Sequence, residues 1–256
     1  MHIRALTSRG RVAAAASAAL AAALLATGCG GDGNGTDLTA APTEAPAGPT
    51  ESEGFTVTAD QRAPAQGTTG NVTVTESSVI IGDPDAPEKV HIYIDLNCPH
   101  CHMLHDEMAA DTAAWAEGSD VAVEYTVVDY LCPRTTHLYS SRGANLLALV
   151  ADVDPESWLA VQDALLAGQP ASTTDQVTTE WLIETARDAG ATLDDDDIAA
   201  QEQLAYTDWV QGATAEAAAA GVNFIPQVWI DGAQVTGESH EETAQLVREA
   251  VAAADL

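Results

Sequence analysis

KVHIYIDLNCPHCHMLH, residues 89–105, joins an alternating apolar segment to two thiols held two residues apart. In KVHIYID, residues 89–95, Val90, Ile92 and Ile94 share one face, and the other face also carries apolar bulk, as a central strand requires. Pro99 follows where a helix best tolerates proline, in its first turn, because the N–H it lacks would have no partner there. The spacing predicts a helix over 99–116 with Cys101, Leu104, Met108 and Trp115 on one stripe. Cys101 is then expected to face the core, and Cys98 to stand exposed at the helix start.

That position has chemical consequences. A helix start presents unpaired backbone amides and the positive end of the helix dipole, both of which favour an anion. His100, inside the motif, adds an imidazole as donor or cation. Stabilising a thiolate at Cys98 stabilises the reduced form, so a Cys98–Cys101 disulfide becomes a stronger oxidant and Cys98 a better leaving group. Exposed Cys98 is expected to meet the substrate, and Cys101 to attack the mixed disulfide from behind. The bland alternatives are an inert crosslink or half of a zinc site, which needs two further ligands, with His102, His105, His137 and His240 as the available imidazoles. Successive helical residues point roughly 100° apart, so His100, Cys101 and His102 do not converge on one ion.

The strand–helix junction sits in a longer pattern. VTVTESSVIIG, residues 72–82, reads as the edge of the folded part, and VAVEYTVVDYL, residues 121–131, as a second buried strand. Strand, helix, strand implies a right-handed parallel pair. Residues 135–220 read as helices in ANLLALVADV, SWLAVQDALLAG, EWLIETARDAG and the alanine-rich IAAQEQLAYTDWVQGATAEAAAA. Breaks are expected at Asp154-Pro155, Gly168 to Pro170 and Gly190. IPQVWIDG and AQVTG form a hairpin turning at Asp231-Gly232, and a helix over 240–253 closes the chain. Trp158, Trp181, Trp209 and Trp229 read as packing residues.

The N-terminal quarter differs in kind. Residues 1–28 hold Arg4, Arg9 and Arg11, no acid, and a short alanine-rich apolar run, the composition of a cleaved export signal. ATGC, residues 26–29, resembles the lipobox at which bacterial signals are cut and the new N-terminal cysteine lipidated, with Ala26 where a leucine-type residue is usual. Cys29 is therefore the expected lipidation site and membrane anchor. Residues 29–75 are rich in Gly, Thr, Ala, Pro, Ser and acid, too poor in large apolar side chains to offset the entropy of ordering, and read as a disordered tether. The 256-residue chain carries a formal charge of −30, which repels nucleic acid and anionic surfaces. The run Asp194 to Asp197 lacks calcium-loop spacing and reads as a solvated helix start.

Asp95-Leu96-Asn97-Cys98-Pro99-His100-Cys101 after a strand, about a hundred helical residues, and Ile225-Pro226 before another strand together resemble the DsbA-like branch of the thioredoxin superfamily, over about residues 76–254. The resemblance implies an α/β thioredoxin-like fold with an inserted helical subdomain, about 135–220, that caps the site. It implies a redox disulfide between Cys98 and Cys101, a cis Pro226 whose loop lies against it, and backbone groups at Ile225 that receive an extended peptide. It needs no cofactor. Its implied partners are reduced exported proteins as substrates and a quinone-linked membrane protein for regeneration. Relatives often bury an acid six residues before the first cysteine, where this chain has Ile92. Asp95 matches an acid common in this branch and is the possible proton relay, although strand parity sets it opposite Ile92. Cys132 is expected near the same sheet edge, either as a packed free thiol or as a relay.

The function expected from these residues is an exported, lipid-anchored thiol-disulfide oxidoreductase that oxidises cysteine pairs. The alternatives are a reductase or isomerase on the same fold, and a copper- or zinc-handling lipoprotein.

Overall fold

A computed structural model describes residues 60–132, 138–172, 175 and 177–254. The expected signal, Cys29, most of the tether and His137 lie outside the described residues. Seven strands, Gly67–Thr69 (β1), Val72–Val74 (β2), Val79–Ile81 (β3), Glu88–Ile94 (β4), Val121–Val127 (β5), Gln227–Ile230 (β6) and Ala233–Val235 (β7), form one sheet in the order β1-β2-β3-β5-β4-β6-β7. β4 and β5 run parallel, with Ile92 beside Tyr125 and Ile94 beside Val127, and every other pairing is antiparallel. β4 is covered on both faces: Val90, Ile92, Tyr93 and Ile94 are all buried.

A tether that extends to residue 75 is contradicted. β1 and β2 form a hairpin around Gly70, whose φ of +59° suits a residue without Cβ, and β2 pairs with β3. Val72 and Val74 point inward, whereas the three residues of β1 are exposed. Backbone pairing, which composition does not report, orders this stretch. Just before it, the Arg62 N–H donates to Ala205 O at 2.6 Å and the Ala65 N–H to Asp152 Oδ1 at 2.9 Å, fastening the segment to the helical layer.

Helix Pro99–Ala116 (α1) buries Cys101, Leu104, Met108, Thr112 and Ala116, with Trp115 at the margin of the stripe. Tyr139–Val153 (α2) is enclosed on nearly all sides. After a 3-10 turn at Pro155–Ser157 come Trp158–Ala167 (α3), Thr179–Asp188 (α4), Asp195–Glu202 (α5) and Thr207–Ala219 (α6). The alanine-rich segment is therefore two helices, not the single run its periodicity suggests. Leu204 takes φ +50° at the break, and the turn sends both Leu204 and Tyr206 into the core. Asn145 Oδ1 of α2 accepts the Tyr206 N–H at 2.8 Å, so a distant side chain stabilises the interruption. The acidic run does start a helix: Asp194 Oδ1 accepts the Asp196 and Asp197 N–H groups, and Asp197 Oδ2 accepts that of Asp194.

The β6–β7 turn at Asp231 and Gly232, φ +50° and +75°, is the expected two-residue hairpin. His240–Ala253 (α7) then packs on α1, where Arg248 Nε lies 2.7 Å from Asp111 Oδ2. No helix among the described residues is long and apolar enough to cross a membrane.

Candidate active site

Cys98 caps the start of α1 with extended backbone, φ −90° and ψ 115°, and Pro99 opens the helix as its spacing predicts. The amides of Cys101 and His102 donate to Cys98 O at 3.0 and 3.2 Å. The expectation of an exposed Cys98 is contradicted: its relative exposure is 0%. Two segments remote in sequence cover it. The loop of the cis Ile225-Pro226 peptide brings Ile225 O to 3.9 Å from Cys98 Sγ. Gln169, between α3 and α4, donates from Nε2 to Leu96 O at 2.7 Å and to Cys98 O at 2.9 Å. The helical layer thus closes over the turn that carries the first thiol.

Cys101 faces inward as expected, at 1% exposure. Burial pushes its thiol well above the usual range, and the side-chain hydrogen bond to Cys98 and that sulfur's charge push it further. The Asp95 N–H, 3.4 Å from Cys101 Sγ, acts in the opposite direction.

Asp95 follows the last residue of β4 and is fully buried. Its Oδ1 accepts the Asn97 N–H at 2.8 Å and the Ser140 hydroxyl at 2.7 Å, and its Oδ2 accepts the Leu131 N–H at 2.8 Å. Burial pushes its carboxyl up to about 7, against the pull of these three donors; the neighbouring Asp129 also raises it. Asp129 is itself held by the Ser141 and Thr214 hydroxyls at 2.7 and 3.0 Å, and burial raises it too. The Asp95 carboxylate turns toward α2, while Ile92 lies on the side of a small cavity under Cys101.

His100 points to the other side. Its Nδ1 lies 3.2 Å from His240 Nε2 at the start of α7, with the rings stacked at 5.2 Å between centroids. Burial, then the charge of His100, lowers the proton affinity of His240. The pair borders an open groove of about 350 Å³ that continues past Phe224, Ile225, Pro226 and Val235. Phe224, 43% exposed, is one of few large apolar side chains left open to solvent among the described residues.

A family model described as Thioredoxin matches residues 74–249, most of the described chain. The chain belongs to the thioredoxin family. In fold it is similar to BdbD from Bacillus subtilis, on which it superposes with a TM-score of 0.60 at 16% identity, over 73% of this chain and 97% of that one. DsbG from Mycobacterium tuberculosis, a disulfide bond oxidoreductase in its reduced form, gives 0.54 at 22% identity over 69% and 93%. MdbA from Corynebacterium diphtheriae, a thiol-disulfide oxidoreductase, gives 0.55 at 19% over 70% and 95%. These likenesses show the fold. No curated protein matches the chain.

In this thioredoxin-family chain the remaining histidines disperse. His102 Nε2 pairs with Asp106 Oδ1 at 3.4 Å and His105 Nε2 with Asp163 Oδ1 at 3.3 Å. Among the described residues, no three His, Cys, Asp or Glu side chains gather as a metal ion would need. Cys132 is buried in the turn after β5, and burial pushes its thiol up to about 11, the environment of a small packed residue rather than a nucleophile. Sequence reasoning missed Asp129, Ser140 and Gln169, and weighed His240 only as a zinc ligand. A signal for Asp129 existed, since VVDYL repeats after β5 the acid that follows β4. Gln169 and Ser140 carry none, because each acts across more than forty residues.

Proposed function

We propose that the chain is an extracytoplasmic thiol-disulfide oxidoreductase that oxidises cysteine pairs in exported proteins through a Cys98–Cys101 disulfide. The observation that carries this is the placement of the two sulfurs at the start of α1 beneath the Ile225-Pro226 loop, with Cys101 in an environment that holds its proton firmly. A substrate thiolate, its chain extended along the groove and bonded to Ile225 backbone groups, attacks Cys98 Sγ. The Cys98–Cys101 bond breaks, its electron pair goes to the Cys101 sulfur, and that sulfur takes a proton. A second substrate thiol, losing its proton, attacks the substrate sulfur of the mixed disulfide and expels Cys98. Cys98 then carries the charge at the start of α1, the end of a helix dipole that favours an anion. Asp95, poised near 7, sets by its ionisation how costly a thiolate is at Cys101. A membrane redox partner reoxidises the pair, and lipid at Cys29 holds the enzyme at the outer face of the membrane.

The test is equilibration of the Cys98–Cys101 pair against a glutathione buffer, with oxidation of a reduced, unfolded protein as the activity assay. A pair that glutathione reduces readily, with activity lost in Cys98→Ala and mixed disulfides accumulating in Cys101→Ala, is the expected result. A pair as hard to reduce as an inert crosslink overturns the oxidising direction. Stoichiometric metal on protein purified without chelator, with no reversible disulfide, overturns the redox reading.

A further inference from the structure

Cys101 needs a proton each time the disulfide opens and must lose one each time it closes, and among the described residues no titratable side chain other than Cys98 forms a hydrogen bond with its sulfur. The Asp95 contact is a backbone N–H, and the Asp95 carboxylate is taken up by the Asn97 and Leu131 amides and the Ser140 hydroxyl. Ile92, directly below, is aliphatic. A fully buried thiol with so few outlets exchanges its proton slowly unless something conducts it.

The cavity under Cys101 supplies a candidate conductor. It lies between β4, β5, α1 and α3, and Ile92, Cys101, His105, Tyr125 and Gln162 line it. It leaves about 10 Å³ for the centre of a water molecule, the room one water needs. Its wall contains an anomaly. Gln162 of α3 is 0% exposed, and neither its Oε1 nor its Nε2 makes a well-formed hydrogen bond, although its amide lies close enough to the Tyr125 hydroxyl to lower that group's hold on its proton. Buried amides are rarely left so, because an unpaired donor and acceptor forfeit the hydrogen bonds they make in water. One water in the cavity would satisfy Gln162 with both a donor and an acceptor. The Tyr125 hydroxyl, held protonated by burial, and the Cys101 thiol complete its partners.

An outlet adjoins it. His105 lies one helical turn after Cys101 on α1, lines the same cavity, and has only 12% of its side chain exposed. Its Nε2 lies 3.3 Å from Asp163 Oδ1, a buried oxygen on a side chain that is 46% exposed overall. Burial lowers the imidazole's affinity for a proton, while Asp163 and Asp106 draw a proton toward it and His102 opposes one.

We propose that Gln162 positions one buried water beneath Cys101, and that this water carries the thiol's proton to and from His105 and the surface at Asp163. The inference rests on the redox reading above. When substrate opens the disulfide, the electron pair arrives on the Cys101 sulfur, the water gives it a proton, and His105 or solvent behind it restores the water. On closure Cys101 gives its proton to the water as its sulfur attacks. Gln162 is a positioning residue, contributed by the helical insertion rather than by the strand that carries Ile92.

The test isolates the step in which Cys101 must lose its proton. Cys98 of the reduced protein is coupled to thionitrobenzoate, and release of the coloured thiolate by Cys101 is followed by stopped flow across pH. Gln162→Met, equal in size but apolar, is expected to slow release about tenfold or more at pH 7 with the reduction potential of the pair unchanged. Gln162→Glu, which keeps a polar end on the water, is expected to match or exceed the parental rate and to add an inflection of its own to the pH profile. His105→Gln is expected to slow release by a factor similar to that of Gln162→Met. Parental rates in Gln162→Met overturn the relay alone, as does equal slowing by Met and Glu, which marks a packing role. Failure of the unaltered protein to release thionitrobenzoate overturns the redox reading and the relay together.

Discussion

Asp95 shows how burial and hydrogen bonding oppose one another at a single side chain. Its carboxyl titrates near 7 in the fold against 3.8 when free, so between those values the folded chain keeps a proton that the unfolded chain has lost. Stability therefore falls as pH rises from about 4 to about 7, and the loss from this group is complete above 7. The shift corresponds to about 4 kcal/mol. Asp95→Asn is expected to remove that decline, so that the variant gains on the parent by about this amount between pH 4 and 8 in urea denaturation. Asp129 contributes a slope of the same sign, which the variant-minus-parent difference cancels. Parallel curves for the two proteins would refute the raised value. The identity of Cys98, Pro99 and Cys101 as a helix-start pair was legible in the chain, since it depends on neighbours within one turn. The state of Asp95 was not, because Leu131 and Ser140 supply its donors from 36 and 45 positions away.

Among helices and strands, the contact between α2 and the turn before Cys98 constrains the site closely. A Cβ built on Gly143 of α2 would lie 2.7 Å from Leu96 Cδ1, and Leu96 is fully buried. Gly143→Ala is expected to displace Leu96 and with it the turn whose carbonyls Gln169 grips. Overpacking of this kind costs about 1–3 kcal/mol, readable as a lower urea midpoint with an unchanged slope. An unaltered midpoint would mean that Leu96 has room to yield. Periodicity located β4, α1, α7 and the Asp231-Gly232 hairpin because each shows its burial pattern along its own sequence. It missed β1, whose residues are all exposed and which exists by pairing with β2, and it missed the break at Leu204, which Asn145 on another helix helps to hold.

For the molecule as it would stand in the cell, the proposal joins a redox domain to an anchor. Cys29→Ser is expected to move the protein from the membrane fraction to the soluble exported fraction while leaving the glutathione equilibrium of Cys98–Cys101 as it was. Retention in the membrane fraction would refute lipidation at Cys29. The formal charge of −30 suits such a setting, keeping the domain apart from anionic lipid while it remains within reach of substrates. Export and anchoring are readings of composition: a basic start, an apolar run and a cysteine after small residues. The strand that runs into a cysteine-bearing helix is likewise written locally, in alternation, a proline and a spacing of three. The cover over Cys98, the cluster at Asp95, the pairing of His100 with His240 and the cavity at Gln162 join residues dozens to 140 positions apart. No local pattern encodes those meetings, because the free energy that brings them about comes from packing whole elements against the sheet and not from any one segment's own preference.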